Sequence, residues 1–394
     1  MKPEGRPARL LILLVHAVIV QMISYAMRPA ISYGLLELGG GGGWVGAATA
    51  SFALPPLLLA IPAGRLVDRI GERVSLIIGG TAFVLACVVA WAGSHSAILL
   101  IVATMLLGIG VLFSVVGEQT WVMRDATTGK LDNLFGVYTF ATSSGQMLGP
   151  VLLMQPGAQD SSPNLQVVSL IGVGLAAICT AMSWFIKPTQ RGTSTESSTA
   201  GMLPEAWRLL RRKGVIRALM ASSLVLTSLD ILLAYLPMLA QERGFSPVML
   251  SIFLMVRGLA TMISRLLLGP MTTRFGRRGT LVWTGVAAAI ALVIVALPVP
   301  PALLAAACAV YGFAAGAVQP LTMSWMTLVT PREQRGTGAS LRLVANRAGQ
   351  TVIPIVVAGV SVASSAMAVF LVTGTSLFIA SWLSRAAPND TTEE

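Results

Sequence analysis

GRLVDRIGER, residues 64–73, returns in the second half of the chain as GPMTTRFGRR, residues 269–278. Gly64, Arg69, Gly71 and Arg73 recur as Gly269, Arg274, Gly276 and Arg278, at an offset of 205 positions (269 − 64). Further on, Gly108, Trp121, Gly145, Gln146 and Pro150 recur as Gly312, Trp325, Gly349, Gln350 and Pro354, at an offset of 204 (312 − 108). One residue of loop length separates the two registers. Scattered glycines match by chance; a tryptophan, a glutamine and a proline in one register do not. The chain is therefore a duplication whose halves keep one orientation.

Composition sets the environment of that repeat. Of 394 residues, 55% are hydrophobic and 11% charged, with mean hydropathy +0.78. Soluble domains carry about 25% charged residues, so most side chains here have no water to face. Apolar runs of spanning length predict helices at 10–34, 44–64, 74–93, 97–122, 135–155 and 165–187. The second set is 216–240, 247–269, 280–298, 302–326, 338–362 and 365–384. The expected fold is an all-α membrane protein of twelve spans in two pseudo-symmetric six-helix bundles, 1–187 and 215–394, with a linker at 188–214. The first apolar run, Leu10 to Met27, follows Lys2, Arg6 and Arg9. It is long enough to span and reads as a retained helix rather than a cleaved signal.

Lysines and arginines cluster in alternate connections, beginning with Arg65, Arg69 and Arg73 and continuing with Arg124, Lys130, Arg274 to Arg278, Arg332 and Arg335. The opposite side holds Arg243 and the glycine run 39–43. By the positive-inside rule both termini are cytoplasmic, in an inner membrane. The formal charge of +11 is then explained by insertion and anionic headgroups, and no nucleic-acid partner is expected. The linker ends in LPEAWRLLRRKG, 203–214, where Leu203, Trp207 and Leu210 share a face. That pattern predicts a short amphipathic helix on the membrane surface. Cys87, Cys179 and Cys308 lie singly in apolar runs and lack metal-ligand or redox spacing. Neither a metal nor a cofactor is expected, and the protein is expected to be a monomer.

The repeat and GRLVDRIGER together resemble the major facilitator superfamily over nearly the whole chain. The motif match includes Gly64, Leu66, Asp68, Arg69, Gly71 and Arg73; Thr273 stands where the second copy would have an aspartate. Two glycines suit a tight turn and close helix approach. The resemblance implies that Asp68 faces the positive end of helix 11, around 338–342, and latches the cytoplasmic side. The alternative is a plain topology signal. Helix 5 reads GVYTFATSSGQMLGP; its Gly136, Gly145, Gly149 and Pro150 resemble the antiporter motif of the superfamily's exporters, although Leu153 and Met154 replace the closing glycine pair. The alternative is ordinary membrane-helix packing. Thr104 stands where drug exporters often have an arginine, so that residue's role does not transfer.

Charges at membrane depth are costly and usually functional. The runs contain Arg28, Glu118, Asp230, Arg257, Arg342 and Arg347, while His16 and Arg265 sit nearer helix ends, where snorkelling accounts for them. In the superfamily, helices 1, 4, 7 and 10 line the cavity. Here they offer Gln21, Tyr25 and Arg28; Ser114, Glu118 and Trp121; Thr227, Asp230 and Tyr235; and Tyr311, Gln319 and Thr322. On helix 11, Arg342, Asn346 and Gln350 share a face and Arg347 is offset. Asp230 and Glu118 are the candidate proton carriers. Burial favours a neutral carboxylate and a nearby arginine an ionised one, so alternation between the two would load and release a proton. Asp230 would pair with Arg28 or Arg257, and Glu118 alternatively with Arg124. The arginines otherwise contact an anionic substrate or form a structural network. The leading expectation is a proton-coupled exporter of a small amphipathic or drug-like molecule. The alternatives are an uptake carrier or uniporter for a metabolite anion and, from another class, a membrane enzyme or scramblase. No phosphate-binding loop for ATP-driven transport is present.

Overall fold

A computed structural model describes residues 6–125, 131–155, 162–186, 207–331, 334–361 and 365–387. Twelve long helices run through them. The first six are α1 (Arg6–Glu37), α2 (Gly42–Ile70), α3 (Glu72–Ala92), α4 (Ala97–Asp125), α5 (Leu131–Leu148) and α6 (Leu165–Phe185). The second six are α7 (Val215–Glu242), α8 (247–275), α9 (277–296), α10 (Pro301–Val329), α11 (Arg335–Ser361) and α12 (Ala366–Ser384). Nine helical runs are long and apolar enough to cross a membrane, the run 247–296 holding two helices. The shorter α5 and the more polar α11 are outside that set. Large apolar side chains such as Leu58, Ile98, Leu266 and Trp283 project outward, each more than three-fifths exposed. In a bilayer that surface meets lipid, and helices alone satisfy the backbone there.

The repeated motif is not the loop expected from the sequence. Gly64 to Ile70 complete α2, and a single residue, Gly71, makes the turn into α3. Gly276 does the same between α8 and α9. Their φ angles are +87° and +68°, backbone that glycine adopts without a Cβ penalty. One such residue suffices to reverse the chain, so the flanking polar residues stay helical. Close approach is absent at the other motif glycine: a Cβ on Gly64 or Gly269 would meet nothing within 4 Å. Helix 5 also ends earlier than expected. Pro150 has no N–H to donate and crowds the preceding turn, so α5 stops at Leu148 and Gly149–Leu153 form a 3₁₀ turn.

The duplication is visible in the packing. A Cβ on Gly108 of α4 would overlap the Phe52 carbonyl oxygen of α2, and one on Gly312 of α10 the Arg257 carbonyl oxygen of α8. Gly145 of α5 closes on Val18 of α1, as Gly349 of α11 closes on Ser223 of α7. Gly80 of α3 meets Thr180 of α6, as Gly285 of α9 meets Ser381 of α12. Each pair fixes one helix crossing in both halves, and small residues let the backbones touch. Gly312→Ala should therefore lower the thermal unfolding midpoint of the purified protein markedly, through about 1–3 kcal/mol of overpacking. Gly269→Ala should leave it unchanged; equal effects would remove the packing role.

Of the linker, only 207–214 are described. Residues 207–210 form a helical turn, but Leu209 is the buried anchor and Trp207 is exposed. Leu210 packs against the core of the bundle, and Leu203 lies outside the described residues.

Candidate functional site

The two bundles meet at a charged centre. Arg28 of α1 donates from Nη1 to Asp230 Oδ1 of α7 at 2.7 Å. Gln350 of α11 donates from Nε2 to Asp230 Oδ2 at 2.5 Å. Arg347, one turn before Gln350, donates to Gln350 Oε1 at 3.1 Å. The Arg28 guanidinium lies 4.2 Å from the centre of the Phe52 ring of α2. Across the interface, the Arg257 guanidinium of α8 lies 5.3 Å from that of Tyr25 of α1. Both distances fit cation–π attraction. Arg28, Asp230, Arg257, Gln350 and Tyr25 are all buried, so the centre is closed over in this structure.

Its charges do not balance. Of the three arginines here, Arg28 pairs with Asp230, Arg347 reaches it through Gln350, and Arg257 faces the Tyr25 ring with no acid paired to it among the described residues. Arg28 Nη2, Arg257 Nε and Arg257 Nη2 are buried without a hydrogen-bond partner among the described residues. Arg257 is 1% exposed. Burying a guanidinium without a paired acid is costly.

The other expected site residues separate into three groups. Arg342 donates to Ser222 Oγ at 3.2 Å, to the Gln319 carbonyl at 3.1 Å and to Gln319 Oε1 at 3.2 Å, with polar and sulfur acceptors rather than an acid. Asn346 is buried, and its Oδ1 has no partner. Tyr235 does not face the centre: its hydroxyl donates to the Gly42 carbonyl at 2.8 Å, tying α7 to the start of α2 at the end away from Gly71 and Gly276. Gln21 accepts from Gln146 at 3.5 Å. Trp121 is buried among Leu13, Leu76, Val122 and Tyr138, inside the first bundle. In the helix 5 motif, Gly145 and Gly149 close on the Val18 and Met22 carbonyls of α1, while Gly136 has nothing near it. Asp68 lies in the last turns of α2, which packs along α11; its side chain is outside the described residues.

Three sequence expectations are corrected. His16 does not snorkel. It is fully buried, with Nδ1 2.7 Å from Glu118 Oε1 and Nε2 3.2 Å from Ser183 Oγ. Glu118 is not bound by Arg124, which donates to Glu72 at 2.7 Å; Tyr138 instead donates to Glu118 Oε2 at 2.9 Å. Arg265 also stays inside, donating to the Thr139 carbonyl at 3.0 Å and to Ser143 Oγ at 2.5 Å, so that it joins α8 to α5. Sequence reasoning passed over His16, Tyr138 and Ser183, which lie on three different helices. It missed Phe52 as well, although the repeat sets Phe52 opposite Arg257 at offset 205 (257 − 52). Among the described residues no group of three His, Cys, Asp or Glu could hold a metal.

Comparison with known proteins follows from this geometry. The nucleoside transporter NupG, as a mutant form, superposes with a TM-score of 0.80 at 14% identity, over 96% of this chain and 99% of that one. A D-xylose-proton symporter gives 0.78 at 15% identity, over 97% and 98%. A bacterial homolog of the human lysosomal transporter Spinster, inward-facing and occupied, gives 0.75 at 14%, over 98% and 97%. At such identities the likeness is one of fold. No curated protein matches in sequence. The family model of the Major Facilitator Superfamily matches residues 13–354 and 231–394. With its repeat, its twelve helices and that match, the chain belongs to the Major Facilitator Superfamily and is a multi-pass membrane transporter rather than an enzyme.

Proposed function

We propose that the protein is a proton-coupled carrier of a small organic anion, working by alternating access between its two bundles. The observation that carries this reading is Arg257, buried at the interface with two donor nitrogens unpartnered among the described residues, beside a centre in which Asp230 pairs with Arg28 and reaches Arg347 through Gln350. A neutral or cationic solute leaves that excess uncompensated. A carboxylate or phosphate group matches guanidinium geometry and charge. The D-xylose-proton symporter shares the fold and, by its name, couples to protons. In this chain Asp230 is our candidate carrier. When it takes a proton, Arg28 loses its counter-charge and is free to bind the anion or to release the opposite bundle. With the basic turns at Gly71 and Gly276 assigned to the cytoplasm, the Tyr235–Gly42 hydrogen bond lies toward the outer face and supports reading that face as held together in this state. We adopt export as the direction because Gly136, Gly145, Gly149 and Pro150 follow the exporter pattern.

The test uses purified protein in proteoliposomes with an imposed pH gradient. Mono- and dicarboxylates, sugar phosphates, neutral sugars, nucleosides and lipophilic cations are compared for transport-linked proton flux. Proton flux with one of the anions, and none with cations, is the expected result. Coupled transport of a neutral or cationic solute with every anion inert would overturn the reading.

A further inference from the structure

Away from the charged centre, the first bundle contains a closed hydrogen-bond chain. Ser183 of α6, His16 of α1, Glu118 of α4 and Tyr138 of α5 are joined by contacts of 3.2, 2.7 and 2.9 Å. All four are buried, three of them at 0% exposure. They sit toward the end of the bundle that carries the Gly71 turn, beside Trp121 and Leu76.

The donors in this chain can be counted. Ser183 has one hydroxyl proton, and it is given to the Cys179 carbonyl at 3.0 Å. With that proton so placed, the contact between Ser183 Oγ and His16 Nε2 uses a proton on Nε2. Tyr138 gives its hydroxyl proton to Glu118 Oε2. That leaves the 2.7 Å contact between His16 Nδ1 and Glu118 Oε1. A bare imidazole nitrogen facing a bare carboxylate oxygen would repel at that distance, so one proton lies between them. With it the pair is neutral, whether the proton rests on nitrogen or on oxygen. Without it the pair carries one buried negative charge, which is costly unless compensated. The charged neighbours are already engaged. Arg124, farther along α4, holds Glu72 of α3, and Arg73 of α3 donates to the Trp184 carbonyl of α6. The remaining titratable group against His16 is the Cys179 thiol of α6, whose Sγ lies 3.9 Å from the His16 carbonyl oxygen.

We propose that His16 and Glu118 form a proton-binding site of the first bundle, filled by one proton while that end of the bundle is closed and emptied to water when it parts. The site is independent of the anion and of Asp230. On emptying, the proton passes to water, the Nδ1–Oε1 contact opens, and no other covalent bond changes. The second bundle has no copy of it. The repeat registers place Ala221, Thr322 and Arg342 opposite His16, Glu118 and Tyr138, at offsets of 205, 204 and 204 (221 − 16, 322 − 118, 342 − 138). Of the serine there is a counterpart at the offset of 201 that Thr180 and Ser381 set for α6 and α12 (381 − 180): Ser384 donates to the Ala380 carbonyl as Ser183 does to that of Cys179. The proton site therefore belongs to one half of the rocking pair.

The chain has two histidines, His16 and His95, which makes the site directly visible. Full-length protein labelled with nitrogen-15 in histidine is examined by NMR in detergent across acid and alkaline pH. Hydrogen–deuterium exchange of the α1 and α4 segments around residues 16 and 118 is followed in parallel. His16 is expected to show a protonated Nε2 and a shared Nδ1 proton, and its segments to exchange faster at the pH where that proton is lost. Glu118→Gln should abolish the shared proton and make the exchange independent of pH. Tyr138→Phe keeps the pair and covers the case in which Glu118→Gln does not fold. It should displace the His16 transition. A His16 without a shared Nδ1 proton, or pH-dependent exchange that persists in Glu118→Gln, would overturn the proposal. So would a His16 transition unmoved by Tyr138→Phe.

Discussion

Asp230→Asn should abolish transport driven by a pH gradient while the protein still folds into two bundles. The carboxylate accepts from Arg28 at 2.7 Å and from Gln350 at 2.5 Å. An asparagine keeps an acceptor oxygen for Arg28 but brings no charge and no exchangeable proton. The centre then holds three arginines and no anion of its own. Removing one partner of a buried pair costs ~3–5 kcal/mol, and each 1.36 kcal/mol is tenfold in a rate or an equilibrium. We therefore expect accumulation in proteoliposomes to fall by about 100-fold or more, with the melting point lowered as well. Exchange of the anion without a gradient should survive in part. Full accumulation by Asp230→Asn, with Glu118→Gln inactive, would transfer the coupling role to Glu118.

Arg257→Leu is expected to act in the opposite sense on stability. Two guanidinium nitrogens of Arg257 are buried without partners, and the side chain is 1% exposed. Such a group costs its desolvation and recovers little of it. Leucine occupies less volume but needs no partner, so the melting point should rise. The gain is of order ~1–3 kcal/mol. Binding of the transported anion should weaken by about 100-fold through loss of a charge-assisted contact. Sites that sacrifice stability for function behave this way. Measuring both quantities on one preparation decides the matter. A less stable protein that binds normally would make Arg257 a structural residue.

Much of the fold was legible because duplication writes the same constraint twice. Gly108 and Gly312 meet equivalent backbone positions on α2 and α8, as their common register implied. What the sequence concealed was the extent of helix. Polar residues after Gly64 read as a loop, yet they end α2 because one positive-φ glycine makes the whole turn. Within the site, Arg28 and Asp230 were traceable as charges in apolar runs, and the structure sets them 2.7 Å apart. The surroundings of His16 were not traceable. A histidine ten residues into the first helix reads as lying near a helix end. Its depth is fixed by how α4, α5 and α6 close around it, which no single helix encodes. Trp121 and Tyr235 show the converse: each lies on a helix expected to line the cavity, but both are turned into packed contacts.

The aromatic partners of the arginines bear on how such a chain arose. Phe52 and Arg257 occupy matched places in the two halves, and so do Tyr25 and Asp230, at the common offset of 205 (257 − 52, 230 − 25). In each pair the first copy is aromatic and the second is charged. A symmetric dimer of identical six-helix subunits encodes every residue twice. It would place two arginines and two aspartates about the axis, or two pairs of aromatic rings and no charge at all. The arrangement seen here, with Tyr25 and Phe52 in the first copy and Asp230 and Arg257 in the second, is open only to a gene whose copies mutate separately. Fusion thus did more than join two subunits: it let natural selection set a ring in one copy and a charge in the other at a single repeated position.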